Sequence, residues 1–222
     1  MRGWFPLTDF DFWAFLTSGA VLLAAADRVF SLGWVDREHW TVVQIGLAAA
    51  VAYVTGHVIA EAASRLLEGI LVRRLLGSPS SFLLGDPPAL PKGRWLYPGY
   101  FQPIAPELRA RIQRLAASEE PPFEGNAIYT HAYVFARRDQ MASGRLAVFQ
   151  NQYSMCRNVC LACALAAPAL AVSGFFAGRN ADFWWAGAAL LVGAVMLIRF
   201  LKYYRLFSVE VLNSYAGGAG GS

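Results

Sequence analysis

The sequence predicts an all-α integral membrane protein with four transmembrane helices and an α-helical cytoplasmic insertion between helices 2 and 3. Three observations carry this. Apolar stretches at 12–27, 41–63, 156–177 and 183–204 each approach the roughly 20 residues needed to cross ~30 Å of hydrocarbon, the first being the shortest. Hydrophobic residues make up 56% of the chain and charged ones only 15%, which excludes a disordered chain and fits an ordinary soluble domain poorly. Finally, Arg2, the twelve basic residues from Arg65 to Arg157, and Arg199, Lys202 and Arg205 account for 16 of the 19 Lys and Arg. Basic flanks stay in the cytoplasm, so both termini and the middle segment are assigned there.

The first span is expected as an uncleaved helix. Ala24, Ala25 and Ala26 resemble a signal-peptidase site, but the preceding region carries Asp9 and Asp11 in place of a basic cluster. Trp34, Trp40, Trp184 and Trp185 mark one membrane interface, and Trp4, Phe5, Tyr153, Tyr203 and Tyr204 the other. Span two meets no breaker at its end, so it is predicted to run on through Arg65, Leu67 and Arg74 until Gly77 and Pro79 stop it. Residues 77–105 are rich in Pro and Gly and read as an irregular, aromatic-bearing loop. Leu108, Ile112 and Leu115 place a helix over 106–118, with Glu107 and Arg111 at pairing distance in sequence. Pro121 and Pro122 break it, another helix starts near Asn126 and runs through Arg137, and a last one flows from about Ala142 into span three.

The expected organisation is therefore 1–76, the first two spans with a cytoplasmic extension; 77–150, the insertion; and 151–215, the last two spans. Residues 216–222 (AGGAGGS) read as a linker tail outside the fold. An insertion of about 75–80 residues is small for a self-sufficient core, so it should pack on membrane helices or other subunits.

Two stripes run along span two. Ala48, Ala52, Gly56 and Ala60 recur every fourth residue, a small face suited to close helix approach and here assigned to packing between copies. Beside it lie Tyr53, His57, Glu61 and Arg65. Ionisable groups are costly in hydrocarbon, and two readings stay open: a pore lining, proton path or gate, or a satisfied contact between helices. Asn151, Gln152, Arg157 and Asn158 give the start of span three an unusual polar load, and they join the candidate pore or gate. Arg157 either snorkels to headgroups or bridges the stem of the insertion to the acidic group of span two. Pro168 predicts a kink midway along the span. Cys156, Cys160 and Cys163 share a helix face, but three thiols on one helix cannot close a tetrahedral metal site, so they read as small apolar packing and no metal or cofactor is expected.

No Walker loop, GxSxG, HExxH or CxxC is present, and Arg157–Asn158 lacks the downstream His of an RNxxxxH ribonuclease motif. A lipid enzyme using His57 and Glu61 is the residual catalytic reading; the expectation is a protein that is not an enzyme. The insertion offers binding chemistry instead. Lys92, Arg94, Arg109, Arg111, Arg114, Arg137, Arg138 and Arg145 interleave with Tyr129, Tyr133 and other aromatics, supplying cations for phosphates and ring faces for bases. The competing explanation is that the basic bias is only a topology signal, with the aromatics forming the core of the insertion.

This layout, with Tyr53-x-x-Gly56-His57 in span two and Asn151-x-Tyr153-x-x-x-Arg157-Asn158 before span three, resembles the transmembrane effectors of bacterial anti-phage defence, the Hailong transmembrane proteins in particular. The resemblance implies a multi-pass protein of the bacterial inner membrane that assembles as a homo-oligomeric ion channel, a tetramer. It also implies gating by a single-stranded DNA oligomer made by a partner nucleotidyltransferase, the bound oligomer holding the channel inactive. The alternative class is a non-channel anchor or assembly subunit whose basic insertion meets anionic lipid or a protein partner.

Overall fold

The computed structural model describes residues 10–85, 96–119, 122 and 126–218. Among them there is no strand. The elements are α1 (Phe10–Phe30), α2 (Val42–Ala63), a π-helix (Ser64–Leu76), α3 (Pro79–Leu84), a 3-10 turn (Pro98–Phe101), α4 (Pro106–Ser118), α5 (Asn126–Arg138), α6 (Gln140–Ala177) and α7 (Asn180–Gly218). Four helical runs are long and apolar enough to cross a membrane: Phe12–Phe30, Val42–Leu84, Gln140–Ala177 and Asn180–Gly218. The chain divides into two compact units, one of residues up to Glu68 with Ser154–Phe200, the other of Gly69–Tyr153 with Leu201–Ser222.

In the first unit, α1 and α2 pack at unusually short range. A Cβ on Gly56 would lie 1.9 Å from the Phe15 carbonyl oxygen, and one on Gly19 would lie 1.8 Å from that of Ala52. Only two glycines facing each other's backbones allow this approach. The small stripe assigned to contacts between copies is thus corrected at Ala52 and Gly56, which are taken up by α1 of the same chain; Ala60 is likewise buried, and Ala48 is half-buried. Upstream, Gln44 belongs to a capping box. Thr41 Oγ1 accepts from the Gln44 backbone N–H at 3.3 Å, and Gln44 Oε1 accepts from the Thr41 N–H at 3.0 Å, fixing where α2 starts. Ile59 and Ala63 of α2 cluster with Leu161 and Ala162 of α6, while Ala25, Ala166, Leu170 and Ala186 join α1, α6 and α7. Large apolar side chains remain on the outside, among them Val42, Val54, Val58, Phe176, Trp184 and Leu191.

The extension of span two is helical as the sequence predicts, but at π pitch. It ends where the Gly77 N–H donates to the Val72 carbonyl at 2.7 Å, and Gly77 takes φ +86°, a backbone state glycine adopts without strain. Residues 77–85 and 96–105 are more ordered than the expected loop. Phe82 of α3 packs edge-on against Tyr100 and Phe101 at 6.2 and 5.1 Å between ring centroids, and the Tyr100 hydroxyl donates to the Gly77 carbonyl at 3.0 Å. Helices α4 and α5 match their sequence-derived positions within a residue. Asp139 separates α5 from α6 by accepting from the backbone N–H groups of Met141 and Ala142, at 2.8 and 3.3 Å. Pro168 sits inside α6 without ending it.

The main correction concerns the end of the chain. Val211, Leu212, Tyr215 and Ala216 of α7 are buried in the core of the second unit with Leu83, Ile112, Ala116, Ile128, Ala132, Ala136 and Leu146. The last helix therefore runs past the expected end of span four to complete the core of the second unit, and Ala216–Gly218 belong to that helix instead of a linker. The reason is physical: residues 77–150 alone have too little apolar surface to close a core, and a helix carrying Phe207, Val211 and Tyr215 on one face supplies it.

Candidate functional site

Along the α2 stripe His57, Glu61 and Arg65 are exposed and Tyr53 is half-buried. His57 stacks on Phe15 with ring centroids 4.0 Å apart and meets Tyr53 edge-on at 4.7 Å; Tyr53 in turn stacks on Phe12 at 5.2 Å. His57 thus joins an aromatic group shared by α1 and α2 while staying exposed. One turn on, Glu61 pairs with Arg65, Nε to Oε1 at 2.8 Å, and both side chains are open, at 67% and 79% relative exposure. The one-turn spacing of His57 and Glu61 places them side by side without joining them in a common hydrogen bond.

The polar load at the start of span three resolves more sharply. Arg157 forms an ion pair with Glu68 of the π-helix, and its Nε donates to Asn158 Oδ1 at 3.2 Å. Arg157 and Asn158 are buried, while Asn151 and Gln152, earlier on α6, are half-buried. The bridge from span three to an acidic group beyond span two therefore exists, with Glu68 and not Glu61 as the partner. Asn158 Nδ2 is enclosed without a hydrogen-bond acceptor among the described residues, a costly arrangement in a dry interior. The three cysteines are buried free thiols on the same helix.

At the opposite end of the helices lies a cluster that sequence reasoning did not find. Asp182, at the start of α7, is fully buried; it pairs with Arg28 of α1 at 2.8 Å and Arg179 at 2.9 Å, and accepts from Ser173 Oγ of α6 at 3.1 Å. Arg179 also donates to the Arg28 carbonyl at 2.8 Å and to Ser31 Oγ at 2.9 Å. Next to it, the buried Asp27 carboxylate accepts the backbone N–H groups of Trp34 and Val35 at 2.7 and 3.2 Å, folding the α1–α2 loop back onto α1. Arg28, Arg37 and Arg179 are the few basic residues assigned to that side. The overlooked signal was that acidic residues, Asp27 and Asp182, border the same two spans.

The proposed nucleotide surface is sorted by the second unit. Lys92 and Arg94 lie outside the described residues. Tyr129 is a core residue: it packs against the buried cluster, its hydroxyl donates to Ser208 Oγ at 3.3 Å, and burial pushes its pKa up to about 12. Arg145 is engaged by Glu210 at 2.7 Å. Tyr153, assigned to an interface belt, meets Tyr204 and Phe207 edge-on at 5.3 and 5.8 Å. Arg111, Arg114 and Arg138 are exposed, and Arg109 is half-buried. Glu107 forms no ion pair with Arg111. Arg137 Nη1 donates to the Tyr133 hydroxyl at 2.9 Å, with the guanidinium 5.7 Å from the ring centre; that hydrogen bond raises the Arg137 pKa. The Tyr133 ring rests on Phe207 at 6.2 Å. Arg111 and Arg114 on α4 and Arg138 at the end of α5 are left exposed, with Tyr133 half-buried beside Arg137.

No protein-family model matches this sequence, and neither a curated protein nor a solved structure shows significant similarity to it.

Proposed function

We propose that this protein is a multi-pass inner-membrane effector of anti-phage defence. In this reading, copies assemble, as a tetramer, into an ion channel that depolarises the membrane and is gated by a single-stranded DNA oligomer, the product of a partner nucleotidyltransferase, at the cytoplasmic insertion. The observation that carries it is the Glu61–Arg65 pair, open to the outside of the single chain on a helix whose neighbouring positions Val54 and Val58 are also open and apolar. Polar groups on a spanning helix call for water or for another helix. Copies gathered about this face would supply both. Arg111, Arg114, Arg137 and Arg138 would attract the phosphates, and the Arg157–Glu68 pair would couple α6 to the π-helix as the pathway opens.

One observation favours the alternative, a non-channel anchor whose insertion meets anionic lipid or a protein partner: the His57 ring packs on Phe15 and Tyr53 of the same chain. Cells expressing wild type, His57→Ala, Glu61→Ala or Arg157→Ala under tight control, followed with a voltage-sensitive dye, separate the two. Wild type freed of oligonucleotide is expected to depolarise cells, and at least one variant to reach the membrane without doing so. Unchanged potential and growth with wild type under every ligand condition would leave the anchor reading in its place.

A further inference from the structure

Two apolar cavities flank α1 in the first unit. One, of ≈ 390 Å³, runs between α1, α6 and α7 past Val21, Ala166, Leu170 and Val192; the other, of ≈ 610 Å³, runs between α1 and α2 past Leu16, Leu23, Leu47 and Val51. They share Ala24, Asp27 and Val35, so they open on either side of one ridge of α1 and meet at one rim. The charges lie at that rim: Arg28 and Asp36 on the first cavity, Arg37 on the second. The indoles belong to the same level, Trp185 lining one cavity and Trp34 and Trp40 the other, as expected of residues at headgroup depth.

The rim is not consumed by the ionic cluster beneath it. Asp27 is engaged by the Trp34 and Val35 backbone N–H groups. Arg28 uses Nε for Asp182, which leaves its two terminal amino groups without a hydrogen bond among the described residues. Asp36 and Arg37 are exposed and enter no ion pair among the described residues. Two guanidinium groups and one carboxylate therefore face outward above two separate apolar troughs.

We infer that this is a binding site for one diacyl phospholipid with a phosphoethanolamine headgroup. The two acyl chains straddle the Ala24 ridge, one in each trough. The phosphate is held by Arg28 and Arg37, and the ammonium by Asp36. A free phosphate would leave the troughs unused, a single-chain amphiphile would fill only one, and a purely anionic headgroup would bring no partner for Asp36. The inference needs the bilayer placement of the helices but not the channel reading.

Native mass spectrometry of the full chain in detergent tests it, with dioleoyl phosphatidylethanolamine, its lyso form and dioleoyl phosphatidylglycerol offered at equal concentration. Wild type should retain one diacyl phosphatidylethanolamine per chain. It should hold the lyso form at least about tenfold less, since a lost chain forfeits many buried methylenes. Ala24→Trp, at an exposed ridge position, should lose the lipid while keeping its helical circular dichroism. Val58→Trp, exposed and outside both troughs, should retain it. Asp36→Asn should bind phosphatidylethanolamine and phosphatidylglycerol alike. Equal retention of lyso and diacyl lipid, or undiminished retention by folded Ala24→Trp, overturns the site. Extraction of the wild type from membranes by alkaline carbonate overturns the site and the bilayer placement together.

Discussion

At the scale of single residues, the decisive groups are those whose partners leave them no alternative. Arg157 and Glu68 are both largely enclosed, with side chains 11% and 14% exposed. Truncating one leaves the other charged in a poorly solvated place, a loss of about 3–5 kcal/mol for a buried pair. Arg157→Ala or Glu68→Ala should therefore lower the thermal midpoint in detergent sharply, whereas Arg157→Met combined with Glu68→Leu should recover much of it. Tyr129 gives a second test. Its folded pKa of about 12 lies above the ordinary tyrosine value of 10.0, because burial favours the neutral phenol. Its contribution to stability is thus complete below pH ~10 and is lost as pH climbs toward ~12, where the unfolded phenol ionises first. Tyr129→Phe should flatten that part of the alkaline unfolding curve. The identity of the polar residues at the head of span three was legible from their number alone. Their partners were not, because Glu68 follows seven residues after Glu61 at a pitch the sequence does not disclose.

At the scale of elements, periodicity and breakers located nearly every boundary, since they act locally: Pro106 opens α4, Gly77 closes the π-helix, and Asp139 divides α5 from α6. Two things escaped. A π-helix and an α-helix place similar demands on composition, so 64–76 reads as a plain continuation. The end of α7 was misread because a window for hydropathy stops at Lys202 and Arg205, while the amphipathic face of Phe207, Val211 and Tyr215 beyond them has a different purpose. That face yields a prediction. Tyr215→Ala should destabilise the second unit by about 3–5 kcal/mol, the usual range for emptying a large aromatic from a core. Ending the chain at Leu206 should expose Ile112 and Ile128, and limited proteolysis should then cut within α4 or α5 while the first unit keeps its helices.

At the scale of the whole molecule, hydropathy located the four long apolar helices, because it is a sum over many residues and tolerates local error. Four long apolar helices are present, and the helical segments between the second and third are where the pattern put them. The orientation rests on basic residues alone, and it is directly measurable. A reporter active only in the cytoplasm should work when inserted after Glu119 and fail near Asp36; the reverse pattern would invert the molecule in the bilayer. The small stripe of α2 was legible as a packing face, but a sequence cannot say whether the helix it meets belongs to the same chain. Gly19 and Gly56 answer that within the protomer. Gly56→Leu should therefore impair accumulation of the folded chain itself, measured as protease-resistant protein in membranes, before any effect on the number of copies is read.

The Asp182 cluster also bears on how the chain is made. Arg28 leaves the ribosome 154 residues ahead of the carboxylate that it pairs with, so the first helix must wait, its cation unmatched, until the fourth arrives. A charge without its partner in or near hydrocarbon marks a chain as unfinished. In the membrane reading proposed above, joining Arg28 to Asp182 would mark the last helix as inserted in the right direction and in its place. Asp182→Asn should therefore be recognised by membrane proteases and turned over faster than wild type, even where the mature fold would tolerate the change, and pulse-chase labelling would register the difference.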